Sequence, residues 1–422
     1  MGKVFNSILF DKSAFESFNI DEIFFISQYY QSVVCHILII EILADLKKKG
    51  GNRDPKERVK QLSHKILQLQ PRYIVNYHDL IQSELFGNKI EMDSRPILGK
   101  GRNVSDMNGK KGVVFEQQFE EKMLHRWRDG EFEKAEELAA AQYRFSIEDI
   151  KIDLQDYVVP EKIRSLKNFD DIIAYTDHYL ENVEVQKQIL TNILTLYRIE
   201  SKLACEVLYK IESNQIRLIS EYAPYTYFCY RVYLIFSLAL AKGMITPRKT
   251  DIIDLQYFYY LPFAAIFSSE DKFHRLLYQY FIRPDQTFIQ GSKIKNDMGM
   301  IVQLAHEQKE LSHEDWIIRH KSYPPKIDGS FTAELWDKYV PNERRRFYNN
   351  TPREATGKDK ELIERIKKLA SLPEDKTIEP KSNADDKDYI IVQRWVGPED
   401  FCPCKSGKLF KDCCLSKVKK NT

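Results

Sequence analysis

Glycine and proline are scarce in this chain, 16 of each among 422 residues. That scarcity excludes collagen-like and low-complexity architectures, and no repeat period of solenoid type is present. An excess of one charge is missing too. The 64 Lys and Arg nearly balance the 62 Asp and Glu, leaving a net charge of +2, so the whole molecule is not a generic binder of polyanions. Long uninterrupted apolar runs are lacking. The longest, TYFCYRVYLIFSLALAKGMI, carries Arg231 near its middle and reads as a buried core helix, not a membrane span. The start, MGKVFNSILF, lacks the pattern of a signal peptide. No phosphate-cradling loop follows a strand, since GKGRNVSDMNGKKG lacks the GK-[ST] ending. No nucleophile-and-base constellation stands out either, and kinases, NTPases and dehydrogenases are set aside. What the chain does have is a 12% share of aromatic residues and intermixed charge, the composition of a folded body.

Cysteine is also infrequent, with seven in all. Cys35, Cys205 and Cys229 lie far apart in apolar contexts and read as buried free thiols. The expected location is the reducing cytoplasm, where disulfides are rare. The other four, Cys402, Cys404, Cys413 and Cys414, crowd into FCPCKSGKLFKDCCLSKVKKNT with the spacing C-x-C-x8-C-C. Four thiolates suit the tetrahedral preference of zinc, and a cytosolic cluster of this kind is more often a metal site than a disulfide pair. Gly407 permits the turn between the two pairs. Lys405, Lys408 and Lys411 offset the charge of the thiolates. The pattern resembles the SEC-C motif, the zinc module at the C-terminus of the translocation motor SecA. The resemblance covers roughly residues 395–416. It implies a structural zinc ion and a folded module that docks on a protein partner or a ribosome.

Upstream, periodicity sorts the chain. VFNSILF, residues 4–10, reads as a strand ending at Asp11. Residues 13–30 read as one helix. SVVCHILIIEILADLKKKG begins β-branched and becomes helical, stopping at Gly50-Gly51. Residues 55–70 read as a helix with Pro at its start, and 88–112 as a long polar loop. From 113 to about 245 the pattern is helical almost throughout. DIIDLQYFYY then reads as a helix, AAIFSS as a strand ending before Asp271, and a helix follows. QTFIQGSKIKND reads as the core's final strand. Residues 340–357 are basic, 358–371 form an amphipathic helix, and 372–388 are a charged linker.

Ligands of open α/β sheets sit at the carboxyl ends of strands, so acids placed there can converge from distant parts of the chain. Asp11, Glu41, Asp254 and Asp271 are the candidates. Asp251 rivals Asp254, and Asp45 lies one helical turn beyond Glu41 on the same face. Asp45 reads chiefly as a solvated helix residue, otherwise as an acid orienting a water. Most Asp and Glu in such a chain serve only as solvated surface. A cluster of them has a chemical use, because oxygen ligands hold Mg²⁺ or Mn²⁺ for phosphodiester hydrolysis.

ILFDKSAF, HILIIEILADL and D-LQYFYYLPFAAIFSSE-D-KF, in that order, resemble the PIN-domain nucleases, a family that includes VapC-type toxins. The resemblance covers roughly 4–90 and 245–300. It implies an α/β fold: a PIN-like three-layer core with its first half in 1–112, a helical insertion over 113–245, and its second half in 246–310. A helical and charged linker over 311–388 and the zinc module over 389–422 complete the chain. The resemblance further implies a metal-dependent endoribonuclease in which Asp11, Glu41, Asp254 and Asp271 hold one or two divalent ions. Ser13 and Ser269 would position those ligands. RNA would be met by Lys100-Gly101-Arg102 with Lys110-Lys111, by Arg344-Arg345-Arg346 with Phe347-Tyr348, and by Lys272. Such an enzyme could be a regulated toxin or an antiphage-defence effector. The alternative is a non-enzymatic adaptor that uses the helical block and the zinc module to bind protein.

Overall fold

The computed structural model describes residues 6–48, 54–99, 118–145, 163, 165–213, 216–246, 248, 250–308, 323–340 and 357, with the backbone alone of 101–105, 111–115 and 146–149. The cysteine tail, the Arg344–Arg346 run and the helix expected over 358–371 lie outside the described residues.

The chain opens with β1 (Ser7–Phe10), α1 (Lys12–Ser17), α2 (Ile20–Tyr29), β2 (Gln31–Val34), α3 (His36–Ala44), α4 (Pro55–Gln68), β3 (Arg72–Tyr73) and α5 (Tyr77–Leu85). A hairpin follows, β4 (Gly101–Ser105) with β5 (Lys111–Phe115). The helical block comprises α6 (Phe119–Arg128), α7 (Lys134–Asp149), α8 (Phe169–Glu181), α9 (Gln186–Leu196), α10 (Ser201–Glu212), α11 (Ile219–Tyr222) and α12 (Pro224–Ala241). The chain then returns through α13 (Asp251–Phe258), β6 (Ile266–Ser269), α14 (Lys272–Leu277), β7 (Thr287–Gln290) and α15 (Gly291–Glu307), and α16 (Thr332–Tyr339) closes the described part.

The fold is mixed α/β around one five-stranded sheet of order β3-β2-β1-β6-β7, parallel throughout. Every residue of β1 and β6 is buried, as expected for central parallel strands covered on both faces. From β1 the chain steps outward to β2 and β3. After the helical block it re-enters on the other side of β1. That reversal makes a switch point between β1 and β6, the place beyond the carboxyl ends where open α/β sheets bind their ligands.

Several expectations need correction. The single helix over 13–30 is two helices. Asn19 starts the second with a capping box, its side chain accepting from the Glu22 amide at 2.8 Å while Glu22 accepts from the Asn19 amide at 2.8 Å. The helix expected to run on to Gly50 ends at Ala44 and tightens into a 3₁₀ turn over Asp45–Lys47. The loop over 88–112 holds the first strand of an antiparallel hairpin. β3, only two residues long, gives no periodic signal. Of QTFIQGSKIKND, only Thr287–Gln290 is strand, and the rest starts α15. Cys205 is exposed, whereas Cys35 and Cys229 are buried.

The longest apolar run does form a core helix, α12. Its Arg231 reaches Asp177 on α8 at 2.5 and 3.0 Å, which satisfies the charge inside the fold. Among the described residues no helix is long and apolar enough to cross a membrane.

One glycine sets a close approach. A Cβ on Gly291, at the start of α15, would stand 2.7 Å from the Ala14 Cβ on α1. Glu270, just after β6, accepts from the Ser292 amide at 2.8 Å and so ties the start of α15 to the carboxyl end of β6.

Candidate acidic site

Asp11 follows β1 and begins α1. Its Oδ1 accepts from the Ala14 amide at 2.9 Å, and its own amide donates to the Ser268 carbonyl on the neighbouring strand. Its Oδ2 accepts from the Ser13 hydroxyl at 2.7 Å and from the Ser269 hydroxyl at 2.6 Å. Both serines thus hold the acid in place, one from α1 and one from the end of β6.

His274 completes this knot from α14. Its Nε2 stands 2.7 Å from the Asp254 carbonyl oxygen, a pure acceptor, so that nitrogen carries a proton. Its Nδ1 lies 2.8 Å from Ser269 Oγ and 3.3 Å from Asp11 Oδ2. With the Ser269 proton donated to Asp11, the surroundings of Nδ1 favour a donor there as well, and so the charged ring. Burial works against that charge. The bond to Asp11 and the charges of Asp11 and Asp254 outweigh it and hold His274 above its ordinary pKa.

Asp254, on the first turn of α13, lies within electrostatic reach of His274, Asp271 and Asp11. Burial, aided by the neighbouring acids, pushes its pKa up to about 6. Glu41 comes from α3 and accepts from the Tyr257 hydroxyl at 2.5 Å. Burial raises it to about 7, against the pull of Lys12 and Tyr257 and with further push from Asp254 and Asp11. Asp271 caps α14 by accepting from the Phe273 amide at 2.7 Å. Burial works upward on it, but the Arg248 guanidinium and the Phe273 amide carry it below the usual carboxylate range. The side chains grow more exposed from Asp11 (4%) through Asp254 (14%) to Asp271 (23%), so the cluster opens to solvent on the α14 side.

Arg248 stands at that opening, its Nη2 3.1 Å from Asp271 and 3.4 Å from Asp254. Its amide and Nε each donate to Asp251 at 2.8 Å. Asp251 is fully buried, with both oxygens engaged by one residue, which makes it an anchor for Arg248. Of the two rivals, Asp254 is the one that stands with Asp11 and Glu41.

Asp45 is not the solvated residue expected. Its side chain is fully buried and accepts ion pairs from Lys12 at 2.7 Å, Arg58 at 2.8 Å and Arg144 at 2.9 Å. Burial would raise its pKa, but Lys12 and Arg58 hold it below the usual range. Lys12 links the two residues, donating to the Glu41 carbonyl at 2.9 Å while it pairs with Asp45.

Among the described residues, no group of three or more His, Cys, Asp or Glu side chains is arranged, as it stands, to hold a metal ion. Arg248 and His274 supply positive charge among these acids, and Lys12 adds to it beside Glu41. Neither they nor Tyr257 were singled out from sequence. The only local signal was the position of His274 in SSEDKFH, one turn into the helix that Asp271 caps.

No family model matches the chain, and no curated protein or solved structure matches it.

Proposed function

We propose that the protein is a metal-dependent phosphodiesterase that cuts RNA, with a PIN-like core built on the parallel sheet. One observation carries the reading. Acids from the two ends of the fold meet at the carboxyl ends of β1 and β6, at the switch point of the sheet. An adaptor whose acids are incidental gives no reason for Glu41 and Asp254 to be held together in partly buried positions that raise their pKa values.

The donor set fits a hard cation. All four candidate groups offer carboxylate oxygens, and the elevation of Glu41 and Asp254 is the strain that a nearby divalent ion relieves. Asp11, Glu41, Asp254 and Asp271 would hold Mg²⁺ or Mn²⁺, with Arg248 releasing Asp254 and Asp271. Such an ion activates water and neutralises charge on a phosphodiester. The chain's own groups prepare the place. Ser13, Ser269 and the Ala14 amide fix Asp11, Tyr257 fixes Glu41, and His274 balances the charge of Asp11. Once free of the acids, Arg248 is suited to the phosphate, which it can grip through two parallel N–H donors.

The spacing of Cys402, Cys404, Cys413 and Cys414 supports a zinc module that docks the enzyme on its partner. A regulated effector of toxin or antiphage-defence type is the corresponding biological role.

The test is cleavage of tRNA, rRNA and mRNA by the full chain with and without Mn²⁺, beside Asp11→Asn and Asp271→Asn. Manganese-dependent cutting that both substitutions abolish is the expected result. Folded, zinc-loaded protein that cuts none of these RNAs would return the reading to the adaptor.

A further inference from the structure

α14 has two roles. Its cap, Asp271, belongs to the acidic site, and one turn later it presents Arg275 to a cleft of about 540 Å³ beside the edge strand β7. Tyr278, just past the helix, and Phe288, on β7, line this cleft with their rings stacked at 4.1 Å between centroids and 14° between planes. Phe331 and Leu335 supply an apolar wall, and Lys293 on the first turn of α15 stands at the rim. Arg275 and Lys293 are exposed, and no acidic residue lines the cleft. Neither cation has a carboxylate partner among the described residues. The carboxyl end of β7 pairs Gln290 with Ser269 of β6, which places the cleft one strand from the knot around Asp11.

Flat rings beside unpaired cations, without a carboxylate, match the chemistry of one ligand class. Unpaired bases stack on aromatic rings, while lysine and arginine take the neighbouring phosphates. A protein segment of mixed charge would not profit from a rim of one sign. The chain's own stretch after Val340 carries Arg344-Arg345-Arg346, of the same sign as the rim, which favours an external anion over it.

We propose that this cleft binds an unpaired nucleotide of a single-stranded RNA, next to the nucleotide whose phosphate enters the acidic site. The inference deepens the nuclease reading and rests on it for the strand's path. α14 then serves as a shared wall: its cap meets the scissile phosphate, and its far end holds the neighbouring nucleotide.

Binding can be read separately from cutting. The full chain carrying Asp254→Asn, without added Mn²⁺, is titrated into a fluorescein-labelled, unstructured 12-nucleotide RNA and followed by anisotropy. A duplex of the same length is the competitor. Adding Tyr278→Leu should weaken single-strand binding roughly 5- to 150-fold, the range of one lost base stack. Arg275→Ala and Lys293→Ala, both at exposed positions, should each lower the salt slope of log K by about 0.7. The duplex should compete poorly.

Unchanged affinity in all three variants overturns the proposal and leaves the cleft to another occupant, such as the segment after Val340. Equal affinity for duplex and single strand also overturns it. Mn²⁺-dependent cutting that survives Tyr278→Leu with unchanged KM sinks the cleft and spares the nuclease reading. Base-dependent binding without any cutting supports the cleft and sinks the nuclease.

Discussion

Glu41 and Asp45 sit one helical turn apart, and their surroundings are opposite. Asp45 is one buried acid served by three cations, Lys12, Arg58 and Arg144. Around Glu41, four acids share Arg248, His274 and a part of Lys12, whose ammonium is bound to Asp45, and two of them are pushed toward neutrality. The first cluster has its charge more than matched and locks α1, α4 and α7 around the end of α3. The second is short of positive charge and opens to solvent. Burial of acids alone therefore does not separate a clamp from a site. The count and reach of the cations around them does.

The comparison is easiest to break at Asp45. Asp45→Ala should cost about 3 kcal/mol of unfolding free energy, since it removes the buried acid on which Lys12, Arg58 and Arg144 converge and leaves Glu16 as the acid paired with Lys12 and Arg58. Urea denaturation measures this, and a loss below about 1 kcal/mol would mean that the clamp is only decorative. Next comes the response to metal. Saturating Mn²⁺, at about 100 times its Kd, should stabilise the wild type by about 2.7 kcal/mol, and Asp254→Asn should lose that gain. Asp45→Asn, though less stable, should keep it. Equal stabilisation of wild type and Asp254→Asn would place the ion elsewhere.

The pH profile sharpens the contrast. A carboxyl whose folded pKa lies above its unfolded value contributes stability that is full at low pH and is lost as pH rises through the folded value. Glu41 and Asp254 are of this kind, with a window from about pH 4 to about pH 7. Asp45, held low, contributes in the opposite sense: its stability is present above the ordinary carboxylate range and lost as pH falls. Without divalent ions, Glu41→Gln should flatten the decline between pH 4 and 7 by up to about 3 kcal/mol, and leave the acid limb to Asp45. A profile unchanged by Glu41→Gln would show that the carboxyl ionises freely. The last comparison is Arg248→Gln. Its pairs with Asp254 and Asp271 are partly exposed, but its Nε also serves the fully buried Asp251, so stability should fall by roughly 3 kcal/mol, while Mn²⁺ binding tightens several-fold in calorimetry. Weaker Mn²⁺ binding would mean that Arg248 supports the ion and does not compete with it.

Much of this was readable one segment at a time. The runs SILF and AAIFSS announce strands, and each is followed by an acid at its carboxyl end. Asp11 and Asp271 could therefore be placed near one another once both strands joined one sheet. The local rules failed where a long-range partner decides. Helical periodicity puts Glu41 and Asp45 on one face, but the helix ends between them and their partners set their roles apart. His274, Arg248 and Lys12 carry no pattern of their own. Arg248 has Asp251 within one turn, but its reach to Asp271, that of His274 to Asp11 and that of Lys12 to Asp45 come only from the fold. The break at Asn19 was legible in principle, because N-x-x-E before an apolar run is a capping signal.

The pairing of Ile8, Leu9 and Phe10 with Ile266, Phe267 and Ser268 has a consequence in time. At cellular rates of synthesis, roughly 13 to 50 seconds separate the emergence of β1 from that of β6. Through that interval Asp11 waits without Ser269 or His274, and the two central strands of the sheet have not met. On the proposed nuclease reading, the acidic centre stays incomplete until well over half of the chain has been translated. The ribosome, itself made of RNA, passes that stage before the cluster can assemble.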